Sequence, residues 1–310
     1  MSLVKYAAFQ SVAELGSFSA AAQEVHCTQS AVSRMIKDLE DAWGVTLFTR
    51  MKSGTVLTEE GSRLLPYVRE VLRSDASLRG AVNAITGLAT GHVRIGAFAS
   101  VATFWLPRVI RAFKRSFPSI SYEVLMGDFE EIEDWVRTGR VDFGFSTERP
   151  GAGVQAAVAA RDELLLVVAA DHRLAQLAAV PLSELGGEPF LLLEKGRPGN
   201  VSHLLRDAGV QPDVQLKTFE DHAIISMAEM GLGVGILPRL IIRGEYEGVC
   251  FKPLQPAAHR EILLMLKEGS FATLAAREFL SCMARELAAD LQPAFGRDLA
   301  RLMPPAARRR

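Results

Sequence analysis

Residues 28–40 read Thr-Gln-Ser-Ala-Val-Ser-Arg-Met-Ile-Lys-Asp-Leu-Glu, and they predict the architecture of the N-terminal part of the chain. Apolar side chains recur here at helical spacing, at Val32, Ile36, Leu39 and Trp43. This spacing predicts a helix with one buried stripe. Thr28 is a favourable N-cap for such a helix, and Gly44 is a favourable end. The face opposite the stripe should therefore point outward.

The outward face carries groups that suit DNA. Hydroxyls, an amide and two cations occupy it, at Thr28, Gln29, Ser30, Ser33, Arg34 and Lys37. Such groups hydrogen-bond to base edges and hold phosphates. Asp38, Glu40 and Asp41 at the far end would repel phosphates, so we expect the N-terminal half to enter a groove. A merely solvated polar face is the alternative interpretation.

The flanking residues extend this helix to a winged helix-turn-helix. A first helix, with Ser2 as its cap, should end at Gly16, and an alanine-rich second helix is predicted with Ser19 as its cap. Two helices joined by a tight turn are typical of helix-turn-helix motifs. After the third helix, two short strands around residues 52–54 predict a hairpin, on which Arg50 and Lys52 would contact phosphates.

The composition restricts the class of protein. The chain has 310 residues and a formal net charge of −1, so any attraction to DNA must come from local charges. No apolar run reaches the roughly 18 residues that a membrane span needs, and the N-terminus lacks a secretory pattern. Three dispersed cysteines, Cys27, Cys250 and Cys282, indicate the reducing cytoplasm rather than a disulfide scaffold.

The motifs of cofactor and metal chemistry are missing from the sequence. The histidines show no metal-ligand spacing with each other or with cysteine. The stretch Gly231-Leu-Gly-Val-Gly lacks the spacing of a dinucleotide site, and there is no P-loop, nucleophile elbow or zincin motif. We therefore predict no catalytic residue, metal or cofactor, and leave open a redox pair of Cys250 with Cys282.

Residues 58–85 predict one long helix with a coiled-coil seam. Apolar positions alternate in steps of four and three, at Leu64, Val68, Val71, Leu78, Val82 and Ile85, with Asp75 in the same seam. A polar residue in a seam commonly fixes the register. The helix should end in a linker near residues 87–91.

From Gly91 onward the pattern is that of an α/β domain, because short apolar strands alternate with amphipathic helices. Strands are predicted at residues 92–97, 121–126, 141–145, 164–169, 190–193, 214–218, 233–237 and 262–266. A helix over residues 271–287 should end the fold, and the basic residues 304–310 are expected to form a disordered tail.

Several motifs resemble those of LysR-type transcriptional regulators. Three lie in the N-terminal part: Phe18-Ser-Ala-Ala-Ala, the stretch 28–40 quoted above, and Gly44-Val-Thr-Leu-Phe-Thr-Arg followed by Leu57-Thr. Gly91-His-Val-Arg-Ile-Gly is similar to the first strand of the family's effector domain, and residues 228–238 to its late helix-to-strand signature. The resemblance covers nearly the whole chain. It departs at Lys52-Ser53-Gly54, where a second arginine is common, and at Glu60-Gly61, which replaces Ala-Gly.

The resemblance implies an architecture and partners. The fold would be α/β, with an N-terminal winged helix-turn-helix, a long linker helix, and a two-lobed effector domain like periplasmic binding proteins. Its parts would be a DNA-binding domain (1–58), a linker and dimerisation helix (59–90), lobe I (91–162 plus 268–290), lobe II (163–267) and a C-terminal tail (291–310). The expected partners are double-stranded DNA with inverted half-sites, a small-molecule effector in the cleft, RNA polymerase, and further copies of the chain in a dimer of dimers.

The effector would bind where strands end and helices begin. On lobe I the candidates are Ser100, Val101, Ala102, Thr103, Gly127, Asp128, Phe129, Ser146 and Thr147. On lobe II they are Lys195, Arg197, Asn200, Phe219 and Glu220. The cations favour an organic anion, although they could merely be solvated, and Ser100 could simply cap its own helix.

Two other functions stay as alternatives. A solute-binding module would need a secretory signal and has no use for a helix-turn-helix. An α/β enzyme with an appended DNA-binding domain would need a nucleophile–base pair or a metal cluster, and neither is recognisable.

Overall fold

The structure is a computed structural model, which describes residues 2–51, 54–85, 91–194, 198–242, 246–269 and 272–303. The N-terminal domain consists of three helices and a hairpin. These elements are α1 (Leu3–Leu15), α2 (Phe18–Glu24), α3 (Gln29–Trp43), β1 (Phe48–Met51) and β2 (Gly54–Leu57). The two strands pair antiparallel, from Phe48 opposite Leu57 to Met51 opposite Gly54, and form the predicted wing.

Local capping fixes where these helices begin and end. Gly16 ends α1 in the left-handed conformation, with φ of 60°, and Gly44 ends α3 in the same way. Thr28 caps α3 as predicted, because its hydroxyl accepts a hydrogen bond of 3.2 Å from the Ala31 N–H. The predicted cap of α2 was wrong. Ser17, rather than Ser19, accepts from the Ala20 N–H, because α2 already begins at residue 18.

The N-terminal core forms where the three helices converge. Its fully buried side chains include Phe9 and Val12 of α1, Ala21 of α2, and Val32 and Leu39 of α3. The small side chain of Ala21 lets α2 approach its neighbours closely. The stripe predicted on α3 is therefore its buried face.

The long helix α4 (Glu59–Ile85) leaves this core and continues outward. Thr58 begins it: its hydroxyl accepts from the Gly61 N–H at 2.9 Å and donates to the Thr46 carbonyl at 2.6 Å. Gly61 is sterically required, because a Cβ there would lie 2.3 Å from the Leu47 carbonyl oxygen. Its neighbour Glu60 replaces an alanine at an exposed position, so this departure from the family pattern disturbs no packing.

One sheet spans the rest of the molecule. Its strands are β3 (Gly91–Ala97), β4 (Ile120–Met126), β5 (Phe143–Ser146), β6 (Val154–Ala169), β7 (Val180–Pro181), β8 (Pro189–Leu193), β9 (Asp213–Thr218), β10 (Val234–Pro238) and β11 (Val249–Lys267). Their order is β4-β3-β5-β11-β6-β10-β8-β9, with β7 beside β11. The outer strands at each end run parallel, whereas β11 and β6 run antiparallel through the middle.

Helices cover this sheet. They are α5 (Ala99–Phe104), α6 (Leu106–Ser116), α7 (Phe129–Thr138), α8 (Asn200–Asp207), α9 (Asp221–Glu229), α10 (Leu274–Glu286) and α11 (Phe295–Leu302). Three short 3-10 turns lie at residues 173–176, 182–185 and 239–241. The parallel outer strands are connected through helices, as parallel pairing requires.

The sheet is divided into two lobes, each with its own core. Trp105, Phe113, Phe143 and Phe279 lie in the core of lobe I, and separate clusters around Phe190 and Ile224 form lobe II. The predicted return boundary at residues 267/268 is too late. Ile262 and Leu264 of β11 are fully buried in the lobe I core, because β11 pairs there with β5 as well as β6.

The predicted strands at residues 164–169 and 262–266 are only parts of longer strands, because β6 and β11 continue from one lobe into the other. Charged residues at the crossing interrupt their apolar pattern, at Arg161-Asp162-Glu163 and His259-Arg260-Glu261. The backbones still pair there, with Asp162 opposite Arg260. Strand pairing therefore persists where the side-chain pattern changes.

The expected C-terminal tail, residues 291–310, is folded in its first part. Phe295 and Leu299 on α11 are buried in the lobe I core, and Leu291 joins them. The Phe295–Leu299 spacing places both side chains on one helix face, and that face closes over lobe I. The final residues, 304–310, lie outside the described part of the chain.

Candidate DNA-binding and effector surfaces

The structure presents the polar face of α3 to the outside. Thr28, Gln29, Ser30, Arg34 and Lys37 are exposed, and Ser33 is half-buried. The Thr28 and Ser30 hydroxyls lie 3.1 Å apart at the helix start. Donors and acceptors thus cluster on the N-terminal half of α3, where a groove-binding helix makes base contacts.

Two of the acids near the far end of α3 are held by protein groups. The Lys5 ammonium donates to Asp38 at 2.8 Å, and this hydrogen bond lowers the pKa of Asp38 below its usual value. The Glu40 carboxylate accepts from the Leu47 N–H at 2.7 Å and so fixes the approach to the wing. These carboxylates have structural roles that the sequence did not reveal.

The wing is attached to the helices through its backbone. The Thr55 N–H donates to the Gly16 carbonyl at 3.0 Å, so the hairpin is anchored on the turn between α1 and α2. Thr55 lies opposite Arg50 in the hairpin. Lys52, the other predicted phosphate contact, lies outside the described residues.

A buried polar network lies at the crossing between the lobes. The Arg260 side chain is 9% exposed and donates from Nη2 to the Ser100 hydroxyl at 2.9 Å. It also donates from Nε to Asp162 Oδ2 at 3.0 Å, and it lies 5.3 Å from the centre of the Phe98 ring. Ser100 therefore holds an arginine rather than capping its own helix, whose N-cap is Phe98.

The network continues into lobe II. The other oxygen of Asp162, Oδ1, accepts from the Leu240 N–H at 2.9 Å. One chain of hydrogen bonds thus connects α5 of lobe I, both crossing strands, and the 3-10 turn of lobe II. Arg260 and Asp162 were not among the residues predicted for the effector site. The sequence feature that could have indicated them is the polar triplet that interrupts each of two otherwise apolar strands, at residues 161–163 and 259–261.

Asp221 at the start of α9 adds a carboxyl beside this network. Burial raises the pKa of Asp221, and the nearby Arg260 guanidinium partly opposes that rise. The predicted neighbours Phe219 and Glu220 are exposed. At the start of α9, Asp221 is therefore the residue whose carboxyl group lies near Arg260, rather than the predicted Glu220.

A second contact joins predicted residues of the two lobes directly. The Asn200 side-chain amide donates to the Thr147 hydroxyl at 2.8 Å. Ser146 serves its own turn instead, because its hydroxyl accepts from the Glu148 N–H at 3.0 Å. Lys195 and Arg197, the predicted cations of this region, lie outside the described residues.

The remaining predicted residues of lobe I are structurally diverse. Phe129 packs edge-on against Phe98, with ring centres 5.4 Å apart, and Asp128 caps α7 in a capping box with Glu131. Gly127 is tightly packed, since a Cβ there would lie 2.5 Å from the Trp135 ring. Beyond Ser100 on α5, Val101 is buried, Ala102 is half-buried and Thr103 is exposed. Ser100 and Phe129 therefore border the Arg260 network.

Cys250 and Cys282, the two cysteines for which a redox pair was left open, lie in different lobes. Cys282 on α10 is buried in the lobe I core, and Cys250 on β11 packs against a lobe II cluster. Burial raises the pKa of the Cys282 thiol and so disfavours the reactive thiolate. Both cysteines are free. This placement gives no support to a redox pair.

Metal-ligand clusters and membrane-crossing helices are both absent from the described residues. Nowhere in that part of the chain do three histidine, cysteine or acidic side chains group as metal ligands. None of its helices combines the length and hydropathy needed to cross a bilayer.

Comparisons with known proteins identify the family. The family described as "LysR substrate binding domain" matches residues 86–288, and "Bacterial regulatory helix-turn-helix protein, lysR family" matches residues 3–62. A protein of Bacillus subtilis, named as the uncharacterized HTH-type transcriptional regulator YvbU, is 30% identical over 290 residues, which cover 93% of this chain and 99% of that protein. The probable regulator LrrA of Synechococcus elongatus is 33% identical over 77% of this chain and 82% of its own length.

Solved structures agree on the fold. A full-length variant of OxyR from Pseudomonas aeruginosa superposes with a TM-score of 0.78 at 21% identity, over 94% of this chain and 98% of that one. Full-length CbnR in complex with its target DNA gives 0.61 at 22% identity, over 92% and 100%. The helix-turn-helix and the two-lobed effector domain are therefore confirmed. Members of this family are regulators rather than enzymes, and they bind DNA and small-molecule effectors. The chain belongs to the LysR family of bacterial transcriptional regulators.

Proposed function

We propose that α3 lies in the major groove of the operator and reads base edges there. Gln29, Ser30, Ser33 and Arg34 would face the bases, and Arg34 has the fork geometry for a bidentate contact to guanine. The observation that carries this proposal is the exposed polar face of α3, beside which Asp38 and Glu40 are held by Lys5 and by a backbone N–H.

Phosphate contacts would surround this reading face. We assign them to Thr28 and Lys37 on α3 and to Arg50 and Lys52 on the wing. The solved complex of CbnR with its target DNA supports a DNA-binding role for the shared fold. The DNA-binding domain would comprise residues 1–58.

Residues 59–90 would pair two chains through the seam of α4. Val71, Leu78 and Val82 are 43%, 63% and 49% exposed, respectively, so these three apolar positions in the outer half of the seam are uncovered in the single chain. A two-fold pair of recognition helices requires two operator half-sites in inverted orientation. We further propose a dimer of dimers that acts on RNA polymerase in the cytoplasm.

The effector would bind between the lobes, beside the Arg260 network. Ser100 and Phe129 lie on the lobe I side, and Asn200 with Thr147 bridges the lobes nearby. An organic anion is the proposed class, with Lys195 and Arg197 supplying the cations, because Arg260 is already paired with Asp162. A ligand that draws the lobes together would strain or replace these hydrogen bonds.

The test of DNA reading begins by selecting bound sequences from a random duplex library with the full-length protein. Affinities of variants are then measured over a salt series. Gln29→Ala should lose about 1–3 kcal/mol on the selected site only, whereas Arg50→Ala should weaken selected and random DNA together and lower the salt slope by about one. Gln176→Ala, an exposed glutamine of lobe II, is the control.

Two outcomes would contradict this assignment. One is a footprint that covers a single asymmetric half-site. The other is normal binding by Arg50→Ala at every salt concentration.

The test of effector binding is a thermal-shift screen of small organic acids, because a ligand that binds only the folded state raises the melting temperature. Ser100→Ala should reduce the shift for any hit and leave the affinity for DNA unchanged. An equal shift in parent and variant would place the effector elsewhere.

A further inference from the structure

A large cavity separates the N-terminal domain from lobe I. Its volume is about 810 Å³, which is within the range of small-molecule sites. Three parts of the molecule enclose it: α1 and α2 of the DNA-binding domain, the middle of α4, and the face of lobe I formed by β3, the end of α7 and the start of α10. It is distinct from the cleft between the lobes, because Ser100 and Arg260 are not among its lining residues.

A buried arginine on α4 forms one wall of the cavity. Arg69 is 8% exposed and donates from Nη2 to Glu14 of α1 at 3.0 Å. Its Nε has no hydrogen-bond partner among the described residues. Burial lowers the pKa of Arg69, and the nearby positive charge of Arg140 contributes to that shift. The guanidinium therefore lacks part of the hydrogen bonding that a buried cation requires.

Arg140 supplies a second guanidinium from the lobe I side. It lines the same cavity and lies 5.3 Å from the centre of the Trp135 ring. Within the described part of the chain, no carboxylate lies at ion-pair distance from Arg140. Arg69, whose Nε lacks a partner, and Arg140, which has no ion pair among the described residues, thus bring two guanidinium groups to one cavity from different domains.

Most acids of the lining already have partners. Glu14 accepts from Arg69 and from Gln10, and Glu24 accepts from the Ser11 hydroxyl. Asp142 accepts from the Arg94 N–H at 2.8 Å, and its burial raises its pKa, which favours the neutral form. Glu278 is the fourth carboxyl of the lining.

Two further arginines of the lining, Arg73 and Arg94, already pair with Glu70 and Glu123, and much of the remaining lining is apolar. It includes Ala7, Leu72, Phe117, Ile120, Leu274 and Ala275. A ligand that satisfied this cavity would therefore combine an anionic group for the arginines with an apolar body for these side chains. Guanidinium and carboxylate groups form strong charge-assisted hydrogen bonds, often in pairs.

We propose that this cavity is a second ligand site, which binds a small organic carboxylate with an apolar body between Arg69 and Arg140. The ligand connects α4 of the DNA-binding part to lobe I. It thereby favours the arrangement in which these two parts are in contact, independently of any effector between the lobes.

The test uses 4-fluorophenylacetate as the probe and the full-length chain without DNA. Binding is followed by the broadening of the fluorine NMR line, with the neutral 4-fluorophenylacetamide as the matched ligand. Arg140→Gln removes one guanidinium and, as Arg140 is only half-buried, leaves the core intact. Arg137→Gln is the control on the adjoining helix α7, since Arg137 pairs with Glu133 and Asp134 outside the cavity. Ser100→Ala reports on the cleft between the lobes.

The parent, Arg137→Gln and Ser100→Ala should bind the carboxylate equally, and Arg140→Gln should bind it roughly tenfold or more weakly. The fluorine NMR line of 4-fluorophenylacetamide should not broaden. Equal binding by Arg140→Gln, equal binding of the amide, or no binding by the parent at millimolar concentration would each overturn the proposal. Loss of binding in Ser100→Ala alone would assign the probe to the cleft and would likewise overturn it.

Discussion

Arg260 shows what an individual residue contributes at the boundary between the lobes. Its charge is buried, but Asp162 neutralises it and Ser100 accepts one of its N–H groups. Neither Arg260 nor Asp162 was predicted from the sequence. They lie 98 positions apart, and their pairing depends on the register of β6 against β11. Local patterns carry no information about such a register, whereas they do predict a cap such as Thr28.

Breaking this pair should cost more than removing it. Arg260→Met leaves Asp162 charged and buried, so we expect a loss of about 3–5 kcal/mol in the free energy of unfolding. The double variant Arg260→Met with Asp162→Leu should recover part of that loss. Urea unfolding measures both. The exposed Arg173 of lobe II, replaced by methionine, is the control and should change little.

A loss in Arg260→Met as small as that in the Arg173 control would contradict a tightly coupled buried pair. So would a double variant less stable than both single ones.

Asp221 should make stability depend on pH. Burial raises its pKa in the folded chain, so the folded state binds more protons than the unfolded state between the two pKa values, and stability falls as pH rises through that interval. Asp221→Asn should therefore melt at a higher temperature than the parent above the interval. The gain should vanish as pH falls below the pKa of an unfolded aspartate, about 3.9. Asp171→Asn, at an exposed carboxyl of the same lobe, is the control. A gain that is constant with pH would contradict the role of burial.

At the scale of elements, the first part of α4 belongs to the N-terminal core, and its later part presents exposed apolar side chains that are suited to dimerisation. Its first turns carry Leu65 and Val68 into the core of the N-terminal domain, and Leu64 packs against that core. Among the seam positions, only the later ones leave apolar side chains uncovered. The heptad spacing predicted the helix but could not distinguish these halves, because a buried stripe and a dimer seam have nearly the same period.

Charges in the outer half of the seam should therefore separate dimers without unfolding the N-terminal domain. Val71→Glu with Leu78→Glu should yield monomers in analytical ultracentrifugation, because both side chains are exposed in the single chain and would be buried in the dimer. Ser62→Glu adds a charge at an exposed position of α4 outside the seam and should leave the assembly unchanged. Dimers that survive the double substitution would rule out this seam as the interface.

At the scale of the whole molecule, contacts between α4 and lobe I set how the domains are arranged. Arg73 Nη2 donates to the Val141 carbonyl at 3.3 Å, and Lys267 of β11 lies 3.4 Å from Glu70. The sequence predicted both domains but not these contacts. From the sequence, residues 291–310 were expected to form a tail, although the spacing of Phe295 and Leu299 is that of an amphipathic helix. Whether such a short amphipathic segment docks depends on an apolar surface elsewhere in the fold.

Gly139 should be more sensitive than Gly187 to replacement by alanine, because it lies against Arg73. A Cβ there would be 2.5 Å from Arg73 Nη2, and φ is +74°. Gly187 has φ of +75° with nothing near its Cβ position. Both Gly→Ala changes should lose about 1 kcal/mol through backbone strain, and Gly139→Ala should lose up to about 1 kcal/mol more, because only the far end of the Arg73 side chain has to move. Urea unfolding of the two variants gives the difference in the free energy of unfolding directly. Equal losses would mean that the Arg73 side chain moves aside at no cost.

The two strands that cross between the lobes, β6 and β11, also determine how lobe II is connected to the rest of the chain. Lobe II enters and leaves the fold at neighbouring points, since Asp162 and Arg260 are opposite each other on paired strands. It is therefore an insertion within lobe I, and its two ends could be joined by a two-residue hairpin turn. Excising residues 163–259 would leave lobe I with its β5, β6 and β11 pairing and most of its core. Replacing lobe II would therefore change one side of the cleft while the connection from lobe I to the DNA-binding domain is kept.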